Sequence, residues 1–382
     1  MRFIQFILSV YLVQFSGNPL VRANAVKVNK QSRWFLTTEL IELKANNYFV
    51  DKTEFIHDFL VNQPKYSYLT APPRMGKTSL LTLIGLFCNA TWLEIDDSVN
   101  IIEDDRRSIE FFENTTISKN ETFFKTHRNK YSVIFVDFAP LRKTTTLDSF
   151  RVNMCSVIEN MVNYYGFLGI CTGAKESLKE FFKKYTPGSP YCSKNFKQAL
   201  QDGSVFVRML KEALGKEVII LGDAFDSILH AYLLNDITGS EAMAYFVEFV
   251  DGLLANEENV SVDRILFVGT LNLGGILSNF IKGITHREFY HDETIGKYFG
   301  LTEQEVKNLL RDFSLEDHFR IIDDWYNGFG VLDSHLKVFN ISSVVSYVQR
   351  LKSQPIIPSE SFSALIGLKP LFTDHRIRLN CH

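Results

Sequence analysis

The residues with the clearest chemical signal are a lysine and a threonine, Lys77 and Thr78, in a short turn-rich segment. The segment reads Ala-Pro-Pro-Arg-Met-Gly-Lys-Thr-Ser over residues 71–79, after a short apolar run and before a longer one. In a strand, loop and helix of this kind, backbone N–H groups surround an anion, the lysine reaches the outer phosphates and the hydroxyl holds Mg²⁺. The segment therefore predicts a phosphate-binding loop, with the nucleotide contacts assigned to Arg74, Gly76, Lys77, Thr78 and Ser79.

The loop departs from the usual G-x-x-x-x-G-K-[ST] pattern at its first glycine, which is Ala71 here. Alanine has less backbone freedom than glycine, and two successive prolines each fix φ and lack an N–H group. We therefore expect a stiff loop that binds phosphate more weakly than usual. Simpler roles stay open: Lys77 as a solvent-exposed lysine, Thr78 as a helix cap, and Arg74 as a solvated or acid-binding residue.

An acidic residue on a neighbouring strand is the second requirement of such a site, since it orients Mg²⁺. Two apolar runs end in aspartate, one at Asp137 and one at Asp223. Asp223 is the better candidate because Asp226 follows three residues later, so Thr78 and Asp223 are the predicted metal-site residues. Each aspartate could instead serve as a turn residue or helix cap.

Hydrolysis usually needs a further carboxylate that orients the attacking water, often the residue directly after the metal-site aspartate. That position is Ala224, whose methyl group cannot accept a proton or hold water. Unless Asp226 substitutes as the catalytic residue, we expect turnover to be slow or absent.

The elements that must position these residues alternate between strands and helices. Short β-branched or aromatic runs lie at 66–70, 133–138, 218–221 and 265–270, with helical patterns at 146–165, 175–184, 196–214 and 240–254. Continuous apolar strands separated by helices predict an α/β fold, with a parallel sheet sandwiched by helices and the ligand at the carboxyl ends of the strands. Later helical patterns at 303–313, 315–325 and 342–351 predict a C-terminal helical appendage.

The N-terminal residues predict a secretory signal peptide over residues 1–25. A basic start precedes an apolar run from Phe3 to Val13, and Ala23-Asn24-Ala25 resembles a cleavage site. A buried N-terminal strand or helix is the alternative. We expect a secreted or secretory-lumen protein without a membrane anchor, because that run is too short to span a bilayer and no later apolar run is long enough.

The net charge of −3, with no basic run, gives no indication of a nucleic-acid partner.

Secretion would make the sequons and cysteines informative. The N-x-[ST] sequons stand at Asn89, Asn114, Asn120, Asn259 and Asn340. The polar stretch around Asn114 and Asn120 is the expected glycosylated region. Five cysteines show no metal-binding spacing, and nearness in sequence favours a Cys171–Cys192 disulfide.

Four collinear segments resemble motifs of the AAA-ATPase-like family, in addition to the loop. Residues 47–56 resemble its Y-V-D-K-T-x-x-I segment and residues 221–226 its L-I-D-E-Y-D. Residues 298–306 resemble F-G-F-T-x-x-E-V, and residues 325–329 resemble W-Y-D-G-Y. The resemblance covers roughly residues 33–350, nearly the whole chain after the predicted signal peptide.

The resemblance implies a P-loop NTPase fold that binds ATP with Mg²⁺, with Lys77 and Thr78 at the phosphates and metal and Asp223 as the second metal-site acid. The acid that follows this aspartate in the family is Ala224 here, and a family arginine is replaced by Asn272. Many members carry a C-terminal nuclease-like domain, but we expect no nuclease activity. The expected organisation is an AAA-ATPase-like P-loop domain at 33–300, a helical extension at 301–352 and a tail at 353–382.

Two functions therefore remain open at this point. The first is an ATP-binding protein whose hydrolysis is weak or lost. The second is a secreted interaction protein that keeps the P-loop scaffold but no longer binds nucleotide, with an unidentified protein partner. A weaker third possibility is an active ATPase that uses Asp226 or Asp137.

Overall fold

A computed structural model gives the fold of the chain. It describes residues 40–89, 93–95, 101–103, 106–169, 174–235, 240–254, 262–272, 283–326, 328–332 and 334–353. The predicted signal peptide lies outside the described residues, as do Cys171, Asn259 and all but the first residue of the predicted tail 353–382.

The centre of the molecule is a parallel β-sheet, for which the described residues supply five strands. They are β1 (Tyr66–Thr70), β4 (Tyr131–Asp137), β5 (Glu217–Asp223), β6 (Val262–Gly269) and β7 (Thr285–Glu288). Their order across the sheet is β4-β5-β6-β1-β7, and each adjacent pair is parallel. All carboxyl ends therefore meet at one edge, as the sequence predicted.

Side chains alternate between two hydrophobic clusters on opposite faces of this sheet. In β4, for example, Ile134 and Val136 belong to one cluster and Val133 to the other. In β5, Ile220 belongs to the first cluster and Ile219 to the second. Because successive strand residues point to opposite faces, this alternation means that both faces are covered. The predicted sheet sandwiched by helices is confirmed.

Helices connect and cover the strands, and short elements occupy some of the connections. The α-helices are α1 (Glu54–Val61), α2 (Lys77–Cys88), α3 (Arg106–Phe112), α4 (Glu121–His127), α5 (Leu147–Asn163), α6 (Glu176–Lys184), α7 (Tyr191–Lys194), α8 (Phe196–Leu214), α9 (Ser227–Asn235), α10 (Ser240–Leu254), α11 (Glu293–Gly296), α12 (Glu303–Asp312), α13 (Phe319–Tyr326) and α14 (Ile341–Ser353). Short 3₁₀ helices lie at Ile117–Lys119, Ala139–Lys143, Gly166–Gly169, Phe289–His291 and Glu316–His318. A small hairpin joins β2 (Leu93–Ile95) to β3 (Ile101–Glu103).

The C-terminal region is helical, as predicted, and also contains a small antiparallel sheet. Its strands are β8 (Leu301–Thr302), β9 (Phe329–Gly330) and β10 (Lys337–Phe339), in the order β8-β10-β9. Strands of two or three residues are too short for sequence periodicity to reveal. A separate hydrophobic cluster, which includes Leu309 and Tyr347, forms the core of this region.

A disulfide joins Cys155 in α5 to Cys192 in α7. The sequence favoured Cys171 as the partner of Cys192, so the predicted pairing was wrong. Distance along the chain misled the prediction, because α5 and α7 pack together although 37 residues separate the two cysteines. Cys88 is a free, buried cysteine.

Within the described part of the chain, the helices are all too short or too polar to span a bilayer.

Candidate functional site

The loop between β1 and α2 contains two residues in the left-handed conformation. Gly76, the N-cap residue directly before α2, has φ +85°, and Arg74 is also left-handed with φ +63°. A Cβ on Gly76 would lie 2.8 Å from the Cδ1 atom of Ile341, so glycine is required there for both conformation and space. Ala71 is not among the described residues with positive φ. Alanine therefore replaces the first glycine without left-handed strain.

The C-terminal region holds this loop from outside. The Gly300 N–H donates to the Met75 carbonyl at 2.9 Å, and the Asn340 amide donates to the Pro73 carbonyl at 3.0 Å. Met75 itself is fully buried. From the sheet side, the Ala71 N–H donates to the Gly269 carbonyl at 3.2 Å. The conformation of the loop thus depends on the region after residue 300 as well as on the central sheet.

Lys77 folds back onto the loop. Its Nζ atom donates to the carbonyls of Ala71 and Pro72, both at 2.7 Å. Burial lowers the pKa of Lys77 to about 8, although the negative charges of Asp226 and Asp223 oppose this shift. The structure therefore excludes the simple alternative of a freely solvated lysine. The side chains of Arg74 and Ser79, the outer predicted contacts, are exposed.

Thr78 and Asp223 meet directly. The Thr78 hydroxyl donates to Asp223 Oδ2 at 2.5 Å, and Asp223 Oδ1 accepts the Ala224 N–H at 2.8 Å. Asp137 stands beside Asp223 in the strand register, and burial together with the charge of Asp223 raises the pKa of Asp137. The sequence could not show this pairing of α2 with β5, but it named both partners.

A site with one hydroxyl and one carboxylate suits Mg²⁺ better than it suits a metal whose ligands all come from the protein. Among the described residues, no group of three or more His, Cys, Asp or Glu side chains could hold a metal ion. Mg²⁺ ordinarily keeps several waters and binds through one or two carboxylates together with substrate phosphates. Thr78 and Asp223 fit that requirement.

Asp226 is placed differently from the predicted catalytic role. Its side chain is fully buried, and Oδ2 accepts the N–H groups of Thr270 and Leu271, both at 2.8 Å. His230 Nε2 lies 3.1 Å from the same oxygen. A carboxylate enclosed in this way holds the end of β6 against the start of α9. These contacts give Asp226 a structural role, and its predicted catalytic role stays a prediction.

Ala224 also departs from the family motif at this edge of the sheet. It is buried and has φ +53°, a left-handed conformation that costs alanine about 1–2 kcal/mol. Asn272, at the predicted position of a family arginine, donates its amide to Glu288 at the end of β7. Neither side chain can supply the acid or the positive charge that the family motif carries.

Two features of the site escaped the sequence analysis. The first is Arg142, in the 3₁₀ helix after β4, whose Nη2 atom lies 3.9 Å from Asp226 Oδ1. Its only sequence signal is its position five residues after Asp137, at the same edge of the sheet.

The second feature is a narrow apolar cleft on the other side of the loop, with a volume of about 70 Å³. The residues before α1, the first turns of α2 and the helix α14 line it; they include Tyr48, Val50, Leu80, Tyr298 and Ile341. Lys52 closes one side, where its Nζ atom donates to the Lys297 carbonyl at 2.7 Å and pairs with Glu305 at 2.6 Å. Segments far apart in sequence build this cleft, so no single motif reveals it.

Comparison with protein families adds one match. The sequence model of the AAA-ATPase-like family, described as a predicted AAA-ATPase, matches residues 38–274, more than half of the chain. The matched range contains the loop, Asp137, Asp223 and Asn272, and it ends before the C-terminal region. Comparison with curated proteins found no matching sequence.

Proposed function

The chain belongs to the AAA-ATPase-like family, and from this premise we propose that it binds ATP with Mg²⁺ and hydrolyses it slowly or not at all. The observation that carries the proposal is the 2.5 Å contact between the Thr78 hydroxyl and Asp223, next to the ammonium group of Lys77 in the loop. A cation, a hydroxyl and a carboxylate thus converge at the start of a helix, where backbone N–H groups also favour an anion.

The loop residues have separate tasks in this proposal. Lys77 leaves the carbonyls of Ala71 and Pro72 and binds the outer phosphates, which replace both hydrogen bonds with charge-assisted ones. Thr78 and Asp223 would hold Mg²⁺, which would supply positive charge to the phosphates. The N–H groups from Gly76 onward face the phosphates, and Arg74 reaches the outer side of the loop.

The narrow apolar cleft adjoins the loop and would have to widen before it could accept the nucleoside of the ligand. It borders Gly76 and Ser79, the start of the helix that receives the phosphates. Tyr48 and Tyr298 offer aromatic surface to a base, and apolar clefts with few polar groups are typical of small-ligand sites. The phosphate loop and the cleft are therefore two adjoining parts of one binding site in this proposal.

Slow hydrolysis follows from the residues that come directly after β5 and β6. Ala224 stands where a water-orienting acid is expected, and Asp226 is enclosed behind its bonds to Thr270 and Leu271. With neither of these side chains able to orient water, the bound ATP lacks the usual activation of its nucleophile.

A second function, an interaction protein that does not bind nucleotide, rests on the position of Lys77. Its two bonds to the loop carbonyls must break before phosphate can bind, so the loop is stable in a form that satisfies its own lysine. In that case, the loop would serve only as a structural support for the C-terminal region, which donates hydrogen bonds to the Met75 and Pro73 carbonyls.

Binding of labelled ATP distinguishes the two functions. We expect the purified protein to retain Mg–ATP and Lys77→Ala to lose it, while the exposed Lys175→Ala variant serves as a matched control. Mg–ATP should also raise the unfolding temperature of the unmodified protein and of the control only, because a ligand of the folded state stabilises it. Equal retention by all three proteins would contradict the assignment of Lys77 to the phosphates, whereas no thermal shift at millimolar Mg–ATP would support the second function.

We also propose that the protein enters the secretory pathway. Its N-terminal sequence and the disulfide between Cys155 and Cys192 support this localisation, since such bonds persist in oxidising compartments. N-terminal sequencing of the expressed protein should start near residue 26. An uncleaved N-terminus would contradict the proposal.

Glycosylation in that pathway should be selective among the described sequons. Asn114 is exposed in a turn, whereas the Asn89 amide is buried against the Tyr164 hydroxyl and the Asn340 amide holds Pro73. Asn120 is exposed and caps α4 through its side-chain oxygen. Glycopeptide mass spectrometry should therefore find sugar at Asn114 and Asn120 but not at Asn89 or Asn340.

A further inference from the structure

Arg142 is held rigidly at the edge of the sheet where the phosphate loop lies. It belongs to the 3₁₀ helix Ala139–Lys143, which directly follows β4. The neighbouring Leu141 and Thr144 are fully buried, and the Phe138 N–H donates to the Asp223 carbonyl at 3.0 Å. The turn that carries Arg142 is thus fixed to the strand that carries the metal-site acid.

The guanidinium group of Arg142 is only weakly engaged in this position. Its one ion pair among the described residues is with Asp226, and the 3.9 Å between Nη2 and Oδ1 is too long for a hydrogen bond. The Arg142 side chain is 47% exposed, whereas Asp226 is completely buried and its Oδ1 atom has no hydrogen-bond partner among the described residues. A planar group with five donors therefore stands beside the site with its donors open to an anion.

The charge of Arg142 also acts on the loop. Burial lowers the pKa of Lys77, and the positive charge of Arg142 lowers it further. Two cations that repel each other in the free protein favour an anion that lies between them. Arg142 brings this second cation from the turn that follows β4.

We propose that Arg142 binds the terminal phosphate of ATP and so makes the site prefer ATP to ADP. This inference rests on the proposed function, because it presumes that phosphates bind at Lys77 and Thr78. A guanidinium fork matches two phosphate oxygens at once, and the terminal phosphate carries the most charge. Arg142 thereby supplies, from a different strand end, the positive charge that Asn272 lacks.

Asp226 does not need Arg142 for its structural role. Its Oδ2 atom keeps the N–H groups of Thr270 and Leu271 and the contact with His230 when Arg142 turns to a phosphate. We therefore expect Arg142→Ala to fold, and an unchanged unfolding temperature of the free protein checks this.

The experiment compares the affinities for Mg–ATP and Mg–ADP in four full-length proteins. These are the unmodified protein, Arg142→Ala, Arg142→Lys and Lys143→Ala, which removes an exposed cation from the same turn. Arg142→Ala should weaken ATP binding about tenfold or more, the loss of roughly one charge-assisted contact. Its ADP affinity should stay within about twofold, Arg142→Lys should be intermediate, and Lys143→Ala should be unchanged.

The outcomes separate this inference from the function on which it rests. If the unmodified protein binds ATP and Lys77→Ala does not, but Arg142→Ala binds ATP normally, only the role of Arg142 is overturned. Equal losses for ATP and ADP, or the same loss in Lys143→Ala, overturn it as well. If the unmodified protein binds neither nucleotide, the proposed function fails, and the role of Arg142 fails with it.

Discussion

Two sides of the same sheet edge differ in how much of a nucleotide site they retain. The binding side, formed by Lys77, Thr78 and Asp223, brings its three groups together as an NTPase site requires. The hydrolysis side, formed by Ala224, Asp226 and Asn272, offers a methyl group, an enclosed carboxylate and an amide tied to Glu288. Under the proposed function, the comparison teaches that holding phosphate and activating water depend on different residues of this edge.

The separation has a simple structural cause. The binding side lies on the loop, on α2 and at the last residue of β5, whereas the hydrolysis side lies just beyond β5 and β6. A substitution at Ala224 or Asn272 therefore leaves the phosphate contacts in place. The buried Asp226 carboxylate stabilises this edge of the sheet, because it accepts the backbone N–H groups of Thr270 and Leu271.

Removal of the Asp226 carboxylate should have the largest effect, and on folding rather than on chemistry. Asp226→Ala leaves two partly buried N–H groups without their acceptor, which should lower the free energy of unfolding by about 3 kcal/mol. Urea unfolding measures this loss, and Ser227→Ala, at a neighbouring buried site, is the control. A stable Asp226→Ala protein that loses only ATP hydrolysis would restore the catalytic assignment.

Removal of the metal-side hydroxyl should have the next largest effect. Thr78→Val keeps the shape of the side chain but loses the oxygen that donates to Asp223 and would bind Mg²⁺. Binding of Mg–ATP should weaken by about tenfold or more, while binding measured in EDTA should change little. An equal loss with and without Mg²⁺ would mean that the hydroxyl only supports the loop.

The pKa of Lys77 predicts a dependence on pH. With a pKa of about 8 in the free protein, Lys77 loses its charge above that pH, and ATP must then bind together with a proton. ATP affinity should fall by up to about tenfold per pH unit above 8, and Lys77→Arg should remove this fall because arginine stays charged.

The same shift has the opposite consequence for folding. Between pH 8 and the ordinary value of 10.5 the unfolded chain binds more protons at Lys77, so the stability of the ligand-free protein should rise with pH over that window. ATP affinity that stays constant from pH 7 to pH 9.5 would contradict a buried, charged Lys77 at the phosphates.

The smallest effect is expected at Ala224, on the hydrolysis side. A φ of +53° is strained for alanine but not for glycine. Ala224→Gly should therefore raise the free energy of unfolding by up to about 1 kcal/mol. Thermal or urea unfolding checks this value. Ala224→Glu restores the missing acid, and a rise in phosphate release would show that the hydrolysis side lacks only this group.

The sequence was sufficient for features that a local pattern determines. The apolar runs predicted four of the five sheet strands among the described residues, and the segment 71–79 predicted the loop. β7 was missed because it reads Thr-His-Arg-Glu, a polar edge strand without an apolar run. The helical pattern at 146–165 also predicted α5, whose N-terminus is stabilised by a capping box of Thr146 and Ser149.

Features that depend on contacts between segments far apart in sequence could not be predicted in the same way. Asp226 looked catalytic because it follows Asp223 closely, and only the fold shows that the end of β6 covers it. Arg142 and the cleft beside Tyr48 needed the order of the strands and the position of α14. The partner of Cys192 likewise followed from the packing of α5 on α7 rather than from spacing.

The state of retained nucleotide tests the central claim most directly. The protein is incubated with ATP labelled at the α-phosphate and Mg²⁺, separated from free nucleotide, and its bound nucleotide is resolved chromatographically over several hours. The account predicts that the unmodified protein retains label as ATP and that Lys77→Ala retains none. Label recovered mainly as ADP would contradict the loss of hydrolysis, and no retained label in the unmodified protein would contradict nucleotide binding itself.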